Sequence, residues 1–350
     1  MKDNVLIWLD AKKTTLRFNK FRGGETGPAF NAPDMEPVDI FLRFFTLTIL
    51  RKIVMWTNVA LLAAGLPSTN LEEIKAFFGI FLLMGVVRIN AIHHYWSTKA
   101  GLRNIVTSQT MRRDRFYKVS RYLQCSDPAD NPDDWPRTTN DEKQHYYNYT
   151  QKHPLYPLQE VWDKVLENCN DNFKPGRNLA IDEAMVRYKG FTAVVKKFFM
   201  PSKPIRSGYK IYALCDSGTA YMLNFMVHPQ HKSTMYKISK SVIRPVFGKF
   251  HHIFCDMLYT SVDLARKLLT KKTYITGAIM ANRKELPEQL STDVTKNRKA
   301  KSIKEMNKTP CGTMYFRQNA DLTYCMWRDK KILITECAVY WTPGISRQGT

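Results

Sequence analysis

The hydrophobic pattern of the chain changes its period at Pro175-Gly176, and this change limits what the chain can fold into. Before this point apolar residues recur at helical spacing, and after it they form short runs typical of strands. The pattern predicts strands at 179–186, 209–215 and 220–227, a helix at 233–246, a strand at 253–256, a helix capped by Thr260 with Asp263 three residues later, and a strand at 274–279. The predicted order is therefore β-β-β-α-β-α-β.

The first and the fourth of these strands each contain an aspartate that ends a short apolar run. The predicted order is that of the ribonuclease-H-like nuclease fold, in which those two strands lie side by side, so we expect Asp182 and Asp256 to share a pair of metal ions. Two carboxylates on neighbouring strands suit divalent cations that act on phosphodiesters. The alternative is two acids that simply face solvent, as most aspartates do.

The charge around these acids is one-sided. The chain has a net charge of +22, and between Asp182-Glu183 and Asp256 there are 12 Lys or Arg residues and one acid, Asp216. This pattern favours contact with the phosphates of DNA, with a solvated lysine face as the alternative. The residues predicted to bind DNA are Arg187, Lys189, Lys196, Lys197, Lys203, Arg206, Lys210, Lys237, Arg283, Lys284, Arg298 and Lys299.

The remaining segments give the predicted domain boundaries. Residues 1–37 mix charge with Gly and Pro and are predicted to form a loosely ordered arm. A helical region follows at 38–177; it contains a capping box at Thr69 and Glu72 and an acidic, Pro-rich loop at 127–157. The strand-rich core is assigned to 178–287 and a small insertion domain to 288–350.

Several other classes of protein are not predicted. The longest apolar run, 76–87, is too short to span a bilayer. Seven cysteines without a C-x-x-C pair indicate neither a disulfide framework nor a zinc finger. A zinc site in the segment 251–256 is also not predicted, because strand alternation divides its ligands, with His252 and Asp256 on one face and His251 and Cys255 on the other. No Gly-rich nucleotide loop points to a small-molecule substrate.

Several collinear blocks of the chain resemble the piggyBac-type transposases, over about residues 38–340. The blocks are IDEAMVRYKG at 181–190, MPSKPIRSGYK at 200–210, YTSVDLARKLL at 259–269, YITGAIMANRKELP at 274–287, EIKAFFGIFLLMGV at 73–86 and the tryptophan-bearing MWRDKK at 326–331. The resemblance implies a helical dimerisation and DNA-binding region, then a ribonuclease-H-like catalytic domain with three aspartates. It also implies Mg²⁺, double-stranded DNA, a homodimer and the nucleus.

The resemblance identifies Asp182 and Asp256 as the first two of the three metal ligands. We expect the third aspartate to be absent, since it would lie in a Gly-x-Asp-x-x-Asp-like segment beyond the tryptophan hairpin. None of Glu183, Asp321, Asp329 and Glu336 is predicted to replace it, and Glu183 should point away from its strand neighbour Asp182. The leading hypothesis is a nuclear, transposase-derived DNA-binding protein that is catalytically inactive. The alternatives are a truncated form of an active Mg²⁺-dependent transposase and a degenerate dimerisation or protein-interaction scaffold.

Overall fold

The structure is a computed structural model. It describes residues 9–10, 19–99, 101, 103–153, 155–188, 197–229, 233–286, 306–319, 322–329 and 332–338. The chain divides into two compact units. One unit is Phe30–Asn168, and the other combines Met1–Ala29 with Cys169–Thr350.

Helices dominate the first unit and strands the second. The strands are β1 Leu9–Asp10, β2 Gly27–Pro28, β3 Phe173–Lys174, β4 Asn178–Arg187, β5 Phe198–Phe199, β6 Ser207–Asp216, β7 Met222–Val227, β8 His252–Cys255, β9 Tyr274–Ala278, β10 Met314–Asn319, β11 Leu322–Arg328 and β12 Ile332–Ala338. The helices are α1 Pro37–Phe44, α2 Leu47–Ala63, α3 Leu71–Val86, α4 Ile105–Thr110, α5 Arg113–Tyr122, α6 Asn140–Lys152, α7 Gln159–Asp171, α8 Met235–Ile243 and α9 Val262–Thr270.

The helical unit is organised around α2, α3 and α5. Apolar residues at helical spacing form one buried cluster, which includes Leu50, Ile53, Phe77 and Phe116. The start of α3 differs by one residue from the predicted capping box at Thr69 and Glu72. Asn70 is the N-cap, and its side chain accepts a hydrogen bond of 2.9 Å from the backbone N–H of Glu73.

The segment 127–157, which we predicted to be a loop, contains the helix α6. Thr139 and Glu142 form a reciprocal capping box at its start. The carboxylate of Asp133 then accepts hydrogen bonds from the hydroxyls of Tyr146 in α6 and Tyr156 beyond it, at 2.8 and 2.6 Å. Because the cap and these contacts satisfy the polar groups of the segment, it folds into a helix despite its high content of proline and acid.

The second unit is built on one mixed sheet. Its strand order is β1-β10-β11-β12-β9-β8-β4-β6-β5, with β7 also paired to β6. The strand β4 pairs in parallel with β8 and antiparallel with β6, and β8 pairs in parallel with β9. The side-by-side position expected for the first and fourth predicted strands is therefore present.

The core of this unit lies where β4, β6 and β8 pack against α8 and α9. Alternate residues of β4, Leu179 and Ile181, are buried in it together with Ile253 of β8. The start of α9 also differs from the prediction. Ser261, not Thr260, is the N-cap, because the Thr260 hydroxyl instead donates a hydrogen bond of 2.8 Å to the Asp256 carbonyl.

Two predicted regions join this unit in ways that the sequence pattern did not indicate. Within the predicted arm, β2 pairs with β3, and the Arg22 N–H donates to the Lys249 carbonyl at 2.9 Å. Within the predicted insertion region, β11 and β12 form a hairpin, and β12 pairs with β9, so the same sheet continues into it. Of the helices that the structure describes, none has the length and apolar character needed to cross a membrane.

Candidate metal centre

The parallel pairing of β4 with β8 brings the two predicted aspartates together. The last paired residues are Ile181 of β4 and Cys255 of β8. Asp182 directly follows Ile181, and Asp256 directly follows Cys255. Both aspartates are exposed. Two carboxylates therefore lie side by side where the parallel pairing of β4 with β8 stops, while β4 itself continues to Arg187.

Backbone hydrogen bonds orient both carboxylates. Asp182 Oδ1 accepts from the N–H of Glu183 at 2.7 Å, and Asp256 Oδ1 accepts from the N–H of Leu258 at 2.8 Å. The carbonyl of Asp256 also accepts from Thr260, through its backbone N–H at 3.3 Å and its hydroxyl at 2.8 Å. These bonds fold the chain after β8 into a tight turn that presents Asp256.

Glu183 joins the two aspartates, contrary to the prediction that it lies away from them. One carboxylate oxygen from each of Asp182, Glu183 and Asp256 lies within 4.8 Å of the other two. Neighbouring strand residues do face opposite sides, but β4 pairs with β8 only as far as Ile181. We attribute the convergence to this, since beyond the last pair the longer glutamate side chain reaches the same edge.

Glu183 differs from the two aspartates in its environment. Its side chain is 6% exposed, and Oε1 lies 2.9 Å from the ammonium nitrogen of Lys210, whose side chain is 11% exposed. The ammonium group also lies 5.0 Å from the centroid of the Tyr212 ring. Burial, followed by the charge of Glu183, raises the pKa of Tyr212 to about 12.

A tyrosine hydroxyl is buried beside the three acids. Tyr259 is 2% exposed, and its hydroxyl has no hydrogen-bond partner among the residues that the structure describes. Burial raises the pKa of this hydroxyl, and the charges of Glu183, Asp182 and Asp256 raise it further. The hydroxyl is therefore close enough to the carboxylates to be influenced by all three.

The three carboxylates fit one hard divalent cation. Oxygens bound to one ion at about 2.0–2.6 Å are separated by at most about twice that distance. The oxygens of Asp182, Glu183 and Asp256 lie within 4.8 Å of one another, which meets this limit for the longer bonds. For the shorter bonds of Mg²⁺, the three oxygens would have to move slightly closer together. No other group of three or more His, Cys, Asp or Glu ligand atoms converges within the described ranges.

Of the other candidates for a third acid, the structure describes the backbone positions of Asp329 and Glu336. Asp321 is outside the described residues, and Asp329 follows β11, where its carbonyl accepts from the Cys311 thiol at 3.6 Å. Glu336 lies in β12, opposite Gly277 of β9. Sequence reasoning missed Glu183, although one signal was present: it continues the buried phase of Leu179 and Ile181.

The residues predicted to bind DNA occupy different environments. Four of them lie outside the described residues: Lys189, Lys196, Arg298 and Lys299. Five others are exposed: Arg187, Lys197, Arg206, Lys237 and Lys284. The Lys203 ammonium group lies 3.4 Å from the Glu183 carbonyl. Arg283 donates to the Leu258 carbonyl at 2.8 Å, which supports the turn after Asp256. Lys210 is not on the surface, because its ammonium group pairs with Glu183.

Comparisons with known proteins show the family to which the chain belongs. A family model described as Transposase IS4 matches residues 36–341. The chain is 25% identical over 340 residues to human PiggyBac transposable element-derived protein 3, an alignment that covers 92% of this chain and 51% of the relative. The chain belongs to the piggyBac-type transposase family.

A second curated relative and a solved structure also match most of this chain. Human PiggyBac transposable element-derived protein 2 is 24% identical over 318 residues, covering 86% of this piggyBac-type chain and 48% of the relative. A cryo-EM structure of the piggyBac transposase synaptic complex with hairpin DNA superposes with a TM-score of 0.75 at 28% identity, covering 93% of this chain and 65% of that one. The chain spans about half the length of the curated relatives it matches.

Proposed function

We propose that this chain is a nuclear, piggyBac-transposase-derived protein that binds double-stranded DNA through its strand-rich unit. The observation that carries the proposal is the position of the acid cluster at the shared edge of β4 and β8, with cations close to it. Lys203 and Arg283 contact backbone carbonyls at this edge, and the exposed Arg187 ends β4. Phosphates that approach the acids would meet these cations first.

The strand order supports a ribonuclease-H-like core. β7, β6, β4, β8 and β9 lie side by side; β6 is antiparallel to both β7 and β4, and β4, β8 and β9 are parallel. The adjacency of β4 and β8 is the one that we expected for the first and fourth predicted strands. The solved structure that superposes on the chain contains hairpin DNA, which is consistent with a DNA-binding role for the same core.

Asp182 and Asp256 are the residues that we propose to hold Mg²⁺. The cation, when bound, would favour the attack of a water or a 3′-hydroxyl on a phosphodiester. The chain's own contribution is to orient the two carboxylates through the backbone N–H groups of Glu183 and Leu258. Arg283 contributes by supporting the turn that carries Asp256.

DNA binding is tested by fluorescence anisotropy with a labelled duplex over a series of salt concentrations. We expect affinity to fall steeply with salt, and the double variant Arg187→Gln/Arg206→Gln to reduce the log–log slope by about 2. The matched control is Lys249→Gln/Lys271→Gln, because these exposed lysines precede β8 and β9, at the opposite end of the sheet from Asp256. No binding at low salt, or equal losses in both double variants, would overturn the proposal and favour the scaffold role.

Strand cleavage is the second candidate function, and the convergence of three carboxylates favours it. We expect the chain to bind duplex DNA without nicking it. Supercoiled plasmid is incubated with the protein and Mg²⁺ or Mn²⁺, and nicked product is measured on a gel. Nicking that disappears in both Asp182→Ala and Asp256→Ala would establish the enzyme and reject a role in binding alone.

A further inference from the structure

The buried ion pair of Glu183 and Lys210 lies inside the acid cluster, and its position is unusual for a structural pair. The Glu183 carboxylate contacts Lys210 at 2.9 Å and also lies within 4.8 Å of oxygens from both exposed aspartates. The like charges of three carboxylates at this distance repel one another, and one ammonium group offsets only part of that repulsion. The arrangement therefore favours a further cation.

The Tyr259 hydroxyl provides an independent observation that points to a ligand. A buried hydroxyl without a hydrogen bond is unfavourable, so such groups usually have a partner. Tyr259 is 2% exposed, its hydroxyl lacks a partner among the described residues, and the charges of all three acids act on it. A water molecule bound to a cation between the carboxylates would provide that partner.

We propose that Glu183 is the third carboxylate ligand of a divalent-cation site with Asp182 and Asp256, and that Lys210 is an internal cation which the metal ion displaces from Glu183. The ligand is a hard divalent cation such as Mg²⁺ or Mn²⁺, because all three donors are carboxylate oxygens. The inference rests on the proposed assignment of Asp182 and Asp256 as metal ligands.

Lys210 and the metal ion compete for the Glu183 carboxylate because both are positively charged. A carboxylate that is 6% exposed requires a positive partner, and Lys210 supplies it when the ion is absent. When a divalent cation binds, the neighbouring ammonium group repels it, so Lys210 has to move away and the net binding free energy is less favourable. Removal of Lys210 should therefore strengthen cation binding, whereas removal of the Glu183 charge should weaken it.

The test is direct titration of the full chain with Mn²⁺, monitored by the electron paramagnetic resonance signal of free Mn²⁺. We expect Glu183→Gln to weaken Mn²⁺ binding by about tenfold or more, and Asp182→Asn or Asp256→Asn to abolish it. We expect Lys210→Met to strengthen binding by about tenfold, which corresponds to about 1.4 kcal/mol. Lys240→Met is the matched control, because Lys240 is exposed on α8, and it should leave the Mn²⁺ affinity unchanged.

A second measurement covers the case in which Lys210→Met does not fold without the ion. Refolding is then followed by circular dichroism with and without Mn²⁺, and we expect Mn²⁺ to restore the folded signal of Lys210→Met. The neutral double variant Glu183→Gln/Lys210→Met should fold in either condition and bind Mn²⁺ more weakly than Lys210→Met, because it lacks the third carboxylate.

The outcomes separate this inference from the proposed function. If Asp182→Asn abolishes Mn²⁺ binding while Glu183→Gln and Lys210→Met bind as the natural chain does, the role of Glu183 is refuted and the aspartate pair stands. If the natural chain binds no Mn²⁺ at millimolar concentration, both the inference and the assignment of Asp182 and Asp256 as ligands are refuted. DNA binding is measured separately and is unaffected by either result.

Discussion

The ammonium nitrogen of Lys210 lies 2.9 Å from Oε1 of Glu183, and both side chains are nearly enclosed by protein. Lys210 comes from β6 and Glu183 from β4, so the ion pair joins the two antiparallel strands next to the acid cluster. Removal of one partner leaves the other charge buried without compensation, which is far less favourable than the loss of a surface pair.

We predict that Glu183 and Lys210 are coupled in stability. In the absence of divalent cations, Lys210→Met should lower the free energy of unfolding by about 3–5 kcal/mol, and Glu183→Gln/Lys210→Met should lower it by less than the sum of the single variants. Urea unfolding in the presence of EDTA measures these values. The exposed pair Lys267–Asp263 is the control, since Lys267→Met should have little effect on the free energy of unfolding. Strict additivity at Glu183 and Lys210 would contradict the coupling.

Gly277 controls the turn that carries Asp256. A Cβ atom at Gly277 would lie 2.4 Å from the Cys255 carbonyl oxygen and 2.4 Å from the Thr260 hydroxyl oxygen, so the turn would have to move. We predict that Gly277→Ala destabilises the chain by about 1–3 kcal/mol and weakens Mn²⁺ binding. Thermal unfolding and Mn²⁺ titration test this together.

Gly79 provides a control, because its replacement by alanine should raise the free energy of unfolding, whereas that of Gly277 should lower it. Gly79 lies inside α3, and a Cβ atom there would meet nothing within 4 Å. Gly79→Ala should stabilise the chain by about 0.5–1 kcal/mol through helix propensity, without effect on Mn²⁺ binding. Similar behaviour of the two alanine variants would show that Gly277 has no special role.

His252 makes stability depend on pH. Burial, and then the positive charge of Arg177, lower the pKa of His252 to about 4, whereas an unfolded histidine has a pKa of about 6.5. The unfolded chain therefore takes up a proton at a higher pH than the folded chain. This contribution to stability is present in full above pH of about 6.5 and is lost as the pH falls through about 4.

We predict that the slope of unfolding free energy against pH in this window approaches about 1.4 kcal/mol per unit for His252 alone. His252→Gln should remove that part of the slope. His93 is the control, because it is exposed and His93→Gln should leave the slope unchanged. The measurement is urea unfolding at a series of pH values, and an unchanged slope in His252→Gln would contradict the prediction.

Arg115 joins α5 to the connection between α2 and α3. Its guanidinium donates two hydrogen bonds of 2.7 Å to the Glu73 carboxylate, and it also donates to the carbonyls of Pro67 and Ser68 at 2.9 and 2.8 Å. The hydrogen bonds from Arg115 hold the pKa of Glu73 below its usual value.

We predict that Arg115→Lys lowers the free energy of unfolding by about 1.5–3 kcal/mol at neutral pH, because an ammonium group cannot reproduce this planar set of bonds. The loss should shrink as the pH falls through the lowered pKa of Glu73, since its carboxylate is then protonated in both proteins. Arg113 is the control: its ion pair with Asp114 is exposed, so Arg113→Lys should have little effect. Equal effects of the two lysine variants would contradict the prediction.

Local patterns predicted most elements of the strand-rich unit. The alternation of Leu179 and Ile181 identified β4, and the segments around Asp216 were recognised as a hairpin, because the side-chain period of a strand is visible over a few residues. The two helix starts were displaced by one residue, at Asn70 and Ser261. At α3 the cap is Asn70, the neighbour of Thr69. At α9 the Thr260 hydroxyl donates to the Asp256 carbonyl four residues earlier, and Ser261 caps the helix instead.

The sequence by itself determined that Asp182 and Asp256 each end a short apolar run, that positive charge surrounds them and that the chain resembles the piggyBac-type family. The tertiary structure decided what shares the site with them. Lys210 is 27 residues from Glu183 in the sequence, and only the register of β4 with β6 places its ammonium group beside the carboxylate. Long-range pairing also joins β12 to β9, and side-chain contacts to Asp133 stabilise α6. Such contacts depend on chain segments that are distant in sequence, so no local period could reveal them.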